Sequence, residues 1–123
     1  MRNPIVPIAA FAMVAALAGP VRAEAQVAAT DIGQVLADPS GMTLYTYDND
    51  QPGTSTCYGP CAENWPPMPA EGQVSGDYSI VSRTDGTDQL AYQGKPLYRW
   101  VKDKEPGQVS GDGVNGVWHA ARP

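Results

Sequence analysis

Cys57 and Cys61 carry the most recognisable chemistry in this chain of 123 residues, which contains 2 cysteines. An N-terminal leader, described below, directs the chain to an oxidising compartment, where paired cysteines form disulfides by default. We therefore predict a disulfide between Cys57 and Cys61. Thioredoxin-type centres have two residues between their cysteines, whereas three intervene here, and Ala62 stands where a haem-attachment motif requires His.

A soft-metal site is the alternative use of the same two cysteines. Thiolates and imidazole are good ligands for copper, and the chain contains 1 histidine, His119. Met68 could add a thioether sulfur to such a site. The alternative prediction is therefore a periplasmic redox or copper-handling protein that binds copper through Cys57, Cys61, His119 and Met68.

The acidic loop that contains Asp48, Asp50 and Gly53 resembles the start of a calcium-binding loop. Pro52 and Gly59 occupy positions where an EF-hand needs a ligand and a bidentate Glu, so an EF-hand is excluded. A cation site of another kind in this loop stays open.

The sequence offers no catalytic motif. It contains no Gly-x-Ser-x-Gly elbow, phosphate-binding loop or dinucleotide fingerprint, and one His with scattered Ser and Asp does not make a triad. We expect neither an enzyme nor a resident cofactor.

Two stretches 53 residues apart, 44–50 and 97–103, share the pattern Leu-Tyr-x-aromatic-x-x-Asp. The same offset relates Trp65 to Trp118 and Gly41 to Gly94. A fixed internal period indicates a duplicated structural unit, and two copies are too few for a solenoid, so we expect the halves to pack on each other. The repeated motif residues are Tyr45, Tyr47 and Asp50 in the first copy, and Tyr98, Trp100 and Asp103 in the second.

Two interpretations of this motif stay open. On a strand, Tyr45 and Tyr47 lie on one face, as do Tyr98 and Trp100. In the first interpretation the rings fill the core, and each Asp caps N–H groups of the following loop. In the second, the residues form an aromatic and acidic surface that receives a ligand or a partner.

The elements that must position these residues are short strands separated by turns. No stretch keeps a helical apolar period, which predicts an all-β fold. We expect a small, loop-rich domain of two duplicated β-hairpin or meander units packed together, with one disulfide. Strand-like runs cover 32–36, 42–47, 79–83, 89–92, 95–101 and 117–121, and a single helical turn is predicted over 61–65.

Residues 1–23 have the character of a secretory signal peptide. Arg2 precedes an apolar run over 8–19, and small residues precede a cleavage site after Ala23. Pro20 stands where a lipoprotein signal would carry Cys, so we predict that the chain is not lipidated there.

The rest of the chain is predicted to be soluble in the periplasm or outside the cell, with no integral membrane segment. We assign 24–30 to a flexible arm and 31–123 to a single domain, with one repeat over about 31–70 and the other over about 78–123.

The charge of the mature chain argues against nucleic acid as a partner. Of 8 basic residues, Arg2 and Arg22 lie in the leader, whereas all 13 acidic residues follow it. The remaining net charge, near −7, repels phosphate backbones.

The doubled motif resembles a bacterial family of secreted repeats, also described as predicted lipoproteins with a Tyr-x-(Phe/Trp/Tyr)-x-x-Asp motif. The resemblance covers roughly 31–123 and implies an exported fold whose activity is uncharacterised, so it assigns no catalytic residues. It rests on Cys57-x3-Cys61-Ala62-x-x-Trp65-Pro66-Pro67, Gly94-Lys95-Pro96-Leu97-Tyr98 and Gly113-Val114-Asn115-Gly116-Val117-Trp118-His119.

We therefore predict an exported, soluble, non-enzymatic binding or interaction module. Its partner is an unidentified protein or small ligand, and the sequence leaves its oligomeric state open. The copper-handling protein described above is the alternative.

Overall fold

The structure is a computed structural model that describes residues 25–72 and 74–123. These residues form short strands with one small helix, so the prediction of an all-β fold is confirmed. The predicted signal peptide and Pro20 lie outside the described residues. The elements are β1 (Gln26–Thr30), β2 (Gly33–Ala37), β3 (Tyr45–Tyr47), α1 (Pro60–Asn64), β4 (Tyr78–Ser82), β5 (Asp88–Tyr92), β6 (Lys95–Pro96), a 3-10 turn (Val114–Gly116) and β7 (Trp118–Ala120).

Three small antiparallel sheets carry the two repeats. Strands β1 and β2 form a hairpin in the first repeat, and β4, β5 and β6 form a meander in the second. Strands β3 and β7 come from opposite repeats and pair with each other, with Tyr45 opposite Ala120 and Tyr47 opposite Trp118. The repeats therefore share a sheet and do not merely touch.

The end of each repeat is inserted into the other repeat. Ala121 donates its N–H to the Leu44 carbonyl at 2.8 Å, and its own carbonyl accepts from Leu36 at 2.9 Å. Met68, which precedes Ala121 by 53 residues, makes the equivalent bonds to Leu97 (2.9 Å) and Leu90 (2.8 Å). Because each half supplies backbone partners to the other, the predicted packing of the halves is confirmed as an intertwined arrangement.

The prediction of a flexible arm over 24–30 is wrong where the structure describes it. Gln26–Thr30 forms β1 and pairs with β2 along its whole length, from Gln26 opposite Ala37 to Thr30 opposite Gly33. The Thr30 hydroxyl donates to the Gly33 carbonyl at 2.7 Å, which closes the tight turn. Small and polar residues hid this strand from a pattern analysis, because only its pairing with β2 reveals it.

The strand-like runs predicted over 32–36 and 42–47 do not form a full hairpin with each other. The ladder partner of β2 is β1, and its contact with the second run is limited to a bridge between Ala37 and Thr43 and a bond from Leu44 to the Leu36 carbonyl. The chain turns between them at Gly41, whose φ of +94° suits glycine.

Two apolar clusters fill the interior. One surrounds the aromatic motif residues and contains the buried Cys57, and the other holds leucines with Met68. Among the residues that the structure describes, no helix has the length and apolar character needed to cross a membrane.

Candidate functional site

The Tyr and Asp residues of the repeated motif pair across the repeats. Tyr45 donates its hydroxyl to Asp103 Oδ2 at 2.5 Å, and Tyr98 donates its hydroxyl to Asp50 Oδ2 at 2.7 Å. Both tyrosines are fully buried. We call these two contacts the Tyr–Asp pairs. The motif Asp of each repeat therefore accepts a hydrogen bond from the motif Tyr of the other repeat.

The second carboxylate oxygen of each Asp caps the following loop. Asp50 Oδ1 accepts from both the N–H and the hydroxyl of Thr56 at 2.8 Å. Asp103 Oδ1 accepts from the N–H of Ser110 at 3.0 Å and from its hydroxyl at 2.6 Å. The geometry therefore agrees with the first interpretation of the motif, in which rings fill the core and carboxylates close loops.

Both paired tyrosines are held in the neutral phenol form. Burial, reinforced by the Asp103 carboxylate, raises the pKa of Tyr45 far above its usual range. Burial likewise raises the pKa of Tyr98, and the hydrogen bond to Asp50 adds to this effect although the Ser55 hydroxyl opposes it. A phenol beside an ionised carboxylate is the proton donor of the pair.

Four rings form a continuous column, which we call the aromatic stack. Its order is Tyr47, Trp118, Trp65 and Trp100, with centroid separations of 4.1, 3.8 and 3.8 Å and interplanar angles of 13°, 2° and 22°. The inner tryptophans are buried, whereas Tyr47 and Trp100 at the two ends are half-buried. The column repeats the internal symmetry, because an offset of 53 residues relates Tyr47 to Trp100 and Trp65 to Trp118.

The paired tyrosines meet the stack edge-on. Tyr45 lies 5.5 Å from Trp65 at 78°, and Tyr98 lies 5.2 Å from Trp118 at 90°. Edge-to-face contacts of this kind are favourable for aromatic rings. Six rings of the two repeats therefore share one network.

A buried arginine connects the disulfide loop to this network. Arg83 donates from Nη1 to Ser55 Oγ at 2.9 Å and from Nη2 to the Cys57 carbonyl at 2.8 Å. The Ser55 hydroxyl lies 2.5 Å from the Tyr98 hydroxyl. The loop is thus fixed both by a side chain from the second repeat and by its own disulfide.

The cysteines are joined as predicted, which removes them as thiolate ligands in this structure. The Cys57–Cys61 bond has an S–S length of 2.09 Å. Met68 lies in the leucine cluster, where Arg99 Nη2 is 3.5 Å from its sulfur. His119 instead contacts Asp48, with 2.8 Å between Nε2 and Oδ2. The structure therefore does not assemble the four residues of the alternative copper site.

A polar groove lies beside one end of the aromatic stack. It consists of two adjoining clefts of about 210 and 250 Å³. The groove is lined by both acidic and basic side chains. The side chains of Asp48 and His119 are about half exposed. We call this site the polar groove; Tyr47 and Asp50 line its first cleft and Arg122 its second. The two clefts share Thr46, Asp48, Gln93 and Lys95.

A separate cleft of about 210 Å³, outside the polar groove, lies at the equivalent place in the other repeat, beside Trp100. An offset of 53 residues relates Asp48 in the polar groove to Val101 there, and Lys95 to Met42. The polar groove and this cleft therefore share a backbone plan but differ in chemistry, because this cleft is mainly apolar although Arg99 and Asp103 also line it. We call this second site the apolar cleft.

Sequence reasoning missed the polar groove because its residues come from different repeats. The sequence marks Asp48 only as part of an acidic loop and Lys95 only as the start of a strand-like run. The one signal that could have indicated the site is the mismatch at repeat-related positions, where the second copy replaces Asp48 by Val101. The sequence does not show that these positions face a common cleft.

Comparison with known proteins identifies a family but no individual relative. No curated protein and no solved structure matches the chain. The family model described as a secreted repeat of unknown function matches residues 26–68 and 79–122, one match in each repeat. These matches cover most of the chain and fit the duplication seen in the structure. The chain therefore belongs to this family of secreted repeats.

Proposed function

We propose that the protein is an exported, soluble, non-enzymatic module that binds a small ligand in the polar groove. The ligand carries both a positive and a negative group, as a free amino acid or a dipeptide does. In this proposal a signal peptide over 1–23 is cleaved, Pro20 leaves the chain without a lipid, and the module acts in the periplasm or outside the cell.

The observation that carries this proposal is the chemical difference between two clefts with the same backbone plan. The fold accepts Val101 and Met42 in the apolar cleft, so folding does not require Asp48 and Lys95 at the matching positions. Exposed charged side chains that the fold does not need are available for binding.

The groove has the chemistry for a zwitterionic ligand. Asp48 can pair with an ammonium group, while Lys95 and Arg122 can pair with a carboxylate. Tyr47 adds an aromatic surface at the groove wall. A volume of about 210 to 250 Å³ in each cleft suits a molecule the size of an amino acid.

The arrangement around His119 supports binding more than catalysis. Its one side-chain partner among the described residues is the Asp48 carboxylate. A hydrolytic triad would need a hydroxyl or thiol in hydrogen-bond contact with the imidazole. Thr46 lies opposite His119 in the sheet, but no hydrogen bond joins their side chains.

The test is an NMR titration of the isotopically labelled protein with free amino acids and glycyl dipeptides. We expect amide shifts at Asp48, Gln93, Lys95 and His119. Asp48→Val and Lys95→Met, which copy the residues of the apolar cleft, should abolish these shifts and leave the fold intact.

Val101→Ala in the apolar cleft is the matched control and should leave the titration unchanged. A neutral monosaccharide serves as the uncharged comparison. The proposal is wrong if no zwitterion shifts the groove resonances, or if Asp48→Val binds as the parent does.

A further inference from the structure

The aromatic stack and the Tyr–Asp pairs form a network that meets the polar groove only at Tyr47 and Asp50 and continues through the core beyond it. Its rings run from one half-buried end at Tyr47 to the other at Trp100. The buried tyrosines adjoin the inner tryptophans and donate to carboxylates. Together with the thiolate of cysteine, indole and phenol are the side chains that lose one electron most readily.

We propose that this network is a one-electron relay that carries oxidation from a half-buried outer ring to the buried tyrosines of the Tyr–Asp pairs. The oxidant belongs to the class of high-potential one-electron oxidants, such as a peroxyl radical. It removes an electron from the outer ring of Tyr47 or Trp100. The electron hole then moves inward through the stacked tryptophans. An electron from Tyr45 or Tyr98 fills it.

Proton movement balances the step at the buried tyrosine. When Tyr45 gives up an electron, its Oη–H bond breaks and the proton moves along the existing hydrogen bond, 2.5 Å between the two oxygens, to Asp103 Oδ2. The products are a neutral phenoxyl radical and a neutral carboxylic acid. Tyr98 and Asp50 perform the same step across 2.7 Å. The protein has then lost one electron and no proton.

A reductant of the hydroquinone class completes the cycle. It donates one electron to the outer ring, the stack returns that electron to the phenoxyl oxygen, and the proton moves back from the carboxylic acid. The oxidant is thereby consumed without a permanent change in the protein. Close ring contacts of 3.8 to 4.1 Å give the stack the overlap that such transfer needs.

The carboxylates distinguish these tyrosines from ordinary core tyrosines. Tyr78 and Tyr92 also contact each other, with 5.0 Å between centroids, and burial also raises the pKa of Tyr78. Neither hydroxyl has a hydrogen-bond partner among the described side chains. Tyr78 is therefore a matched control, since it lacks the proton acceptor that the relay requires.

The test is photo-oxidation of the full chain with a ruthenium tris-bipyridine sensitiser and a cobalt(III) acceptor, followed by electron paramagnetic resonance. Ring-deuterated tyrosine identifies the tyrosyl signal. We expect a tyrosyl radical in the parent protein. The double variant Asp50→Asn/Asp103→Asn should reduce its yield by about tenfold or more, because a positioned base is lost, and a tryptophan radical should appear instead.

Two further measurements keep the result decisive if that variant does not fold. Tyr45→Phe/Tyr98→Phe retains the rings and should remove the signal, whereas Tyr78→Phe should leave it unchanged. In the parent protein, exchange into D2O should slow radical formation because the step transfers a proton. The relay is refuted if the tyrosyl signal persists in Tyr45→Phe/Tyr98→Phe or if D2O has no effect.

Discussion

Tyr45 and Tyr98 hydrogen-bond to each other through their backbones in both directions. The Tyr45 N–H donates to the Tyr98 carbonyl at 2.8 Å, and the Tyr98 N–H donates to the Tyr45 carbonyl at 2.9 Å. Their hydroxyls then reach Asp103 and Asp50 of the opposite repeats. Since neither repeat can satisfy these groups alone, we expect the two repeats to unfold as one cooperative unit.

Tyr45→Phe should destabilise the protein although it preserves the ring. The change leaves Asp103 Oδ2 without its phenol donor and the Gly111 N–H without its acceptor. Loss of one partner of a buried hydrogen bond costs about 1–3 kcal/mol. Urea denaturation measures the difference in the free energy of unfolding.

Tyr92→Phe is the control for this substitution. Tyr92 is half-buried, and its hydroxyl has no hydrogen-bond partner among the described side chains, so the expected change is within about 0.5 kcal/mol. Equal losses for Tyr45→Phe and Tyr92→Phe would contradict a stabilising role for the Tyr–Asp pair.

Alkaline pH should weaken the fold through the same tyrosines. The pKa values of Tyr45 and Tyr98 are raised in the folded state, whereas a tyrosine in the unfolded chain has a pKa of about 10. Below that pH the phenols are neutral in both states and their contribution to stability is complete. As the pH rises further, the unfolded chain releases protons that the folded protein retains, so stability falls.

Ultraviolet titration of phenolate absorbance, combined with urea denaturation at each pH, measures this effect. Of the 6 tyrosines, we expect Tyr45 and Tyr98 to ionise last, and only with unfolding. In Tyr45→Phe/Tyr98→Phe the loss of stability with rising pH should be smaller. Complete ionisation of all tyrosines in a protein that stays folded would overturn this prediction.

The sequence predicted those features that depend on local pattern or on the repeat itself. The offset between Tyr45 and Tyr98 indicated the duplication, and the strand-like runs over 79–83 and 89–92 marked β4 and β5. The exchange of Tyr–Asp partners could not be predicted, because a residue pattern does not show whether Tyr45 reaches Asp50 of its own repeat or Asp103 of the other. Only the packing of the halves decides this.

The polar groove was hidden for a related reason. Its first cleft joins Asp48, at the end of β3, to Gln93 and Lys95, which lie in and after the turn that ends β5. These segments are more than 40 residues apart in the chain. Their proximity follows from the intertwined repeats, which periodicity alone does not specify.

Gly111→Ala should disturb the centre of the aromatic network. A Cβ atom at this position would lie 2.9 Å from ring atoms of both Tyr45 and Trp65, closer than van der Waals contact allows. Gly111 is buried, so the rings would have to move, and overpacking of a core costs about 1–3 kcal/mol. Urea denaturation measures the loss, and near-ultraviolet circular dichroism should report altered tryptophan packing.

Ser79→Ala on the exposed face of β4 is the control for Gly111→Ala. It adds no atoms to the core and should change neither signal. An unchanged spectrum and stability for Gly111→Ala would show that the rings do not pack as closely as the structure describes.

Removal of the disulfide should destabilise the protein without unfolding it. The Cys57–Cys61 bond closes a short loop, for which the chain-entropy model gives about 2 kcal/mol. Arg83 continues to hold the Cys57 carbonyl after the bond is lost, so the loop should keep its position. Urea denaturation of Cys57→Ala/Cys61→Ala measures the cost, and a reductant should lower the stability of the parent but not of the variant.

Copper addition to the same pair of proteins separates a structural disulfide from the alternative metal site. Intact mass under native conditions should show no copper adduct on the oxidised parent, because both sulfurs are used in the S–S bond. Uptake of one copper by the reduced parent, lost in Cys57→Ala/Cys61→Ala, would instead support the copper-handling alternative.

If the double variant is as stable as the parent, the loop owes its conformation to Arg83 and not to the disulfide.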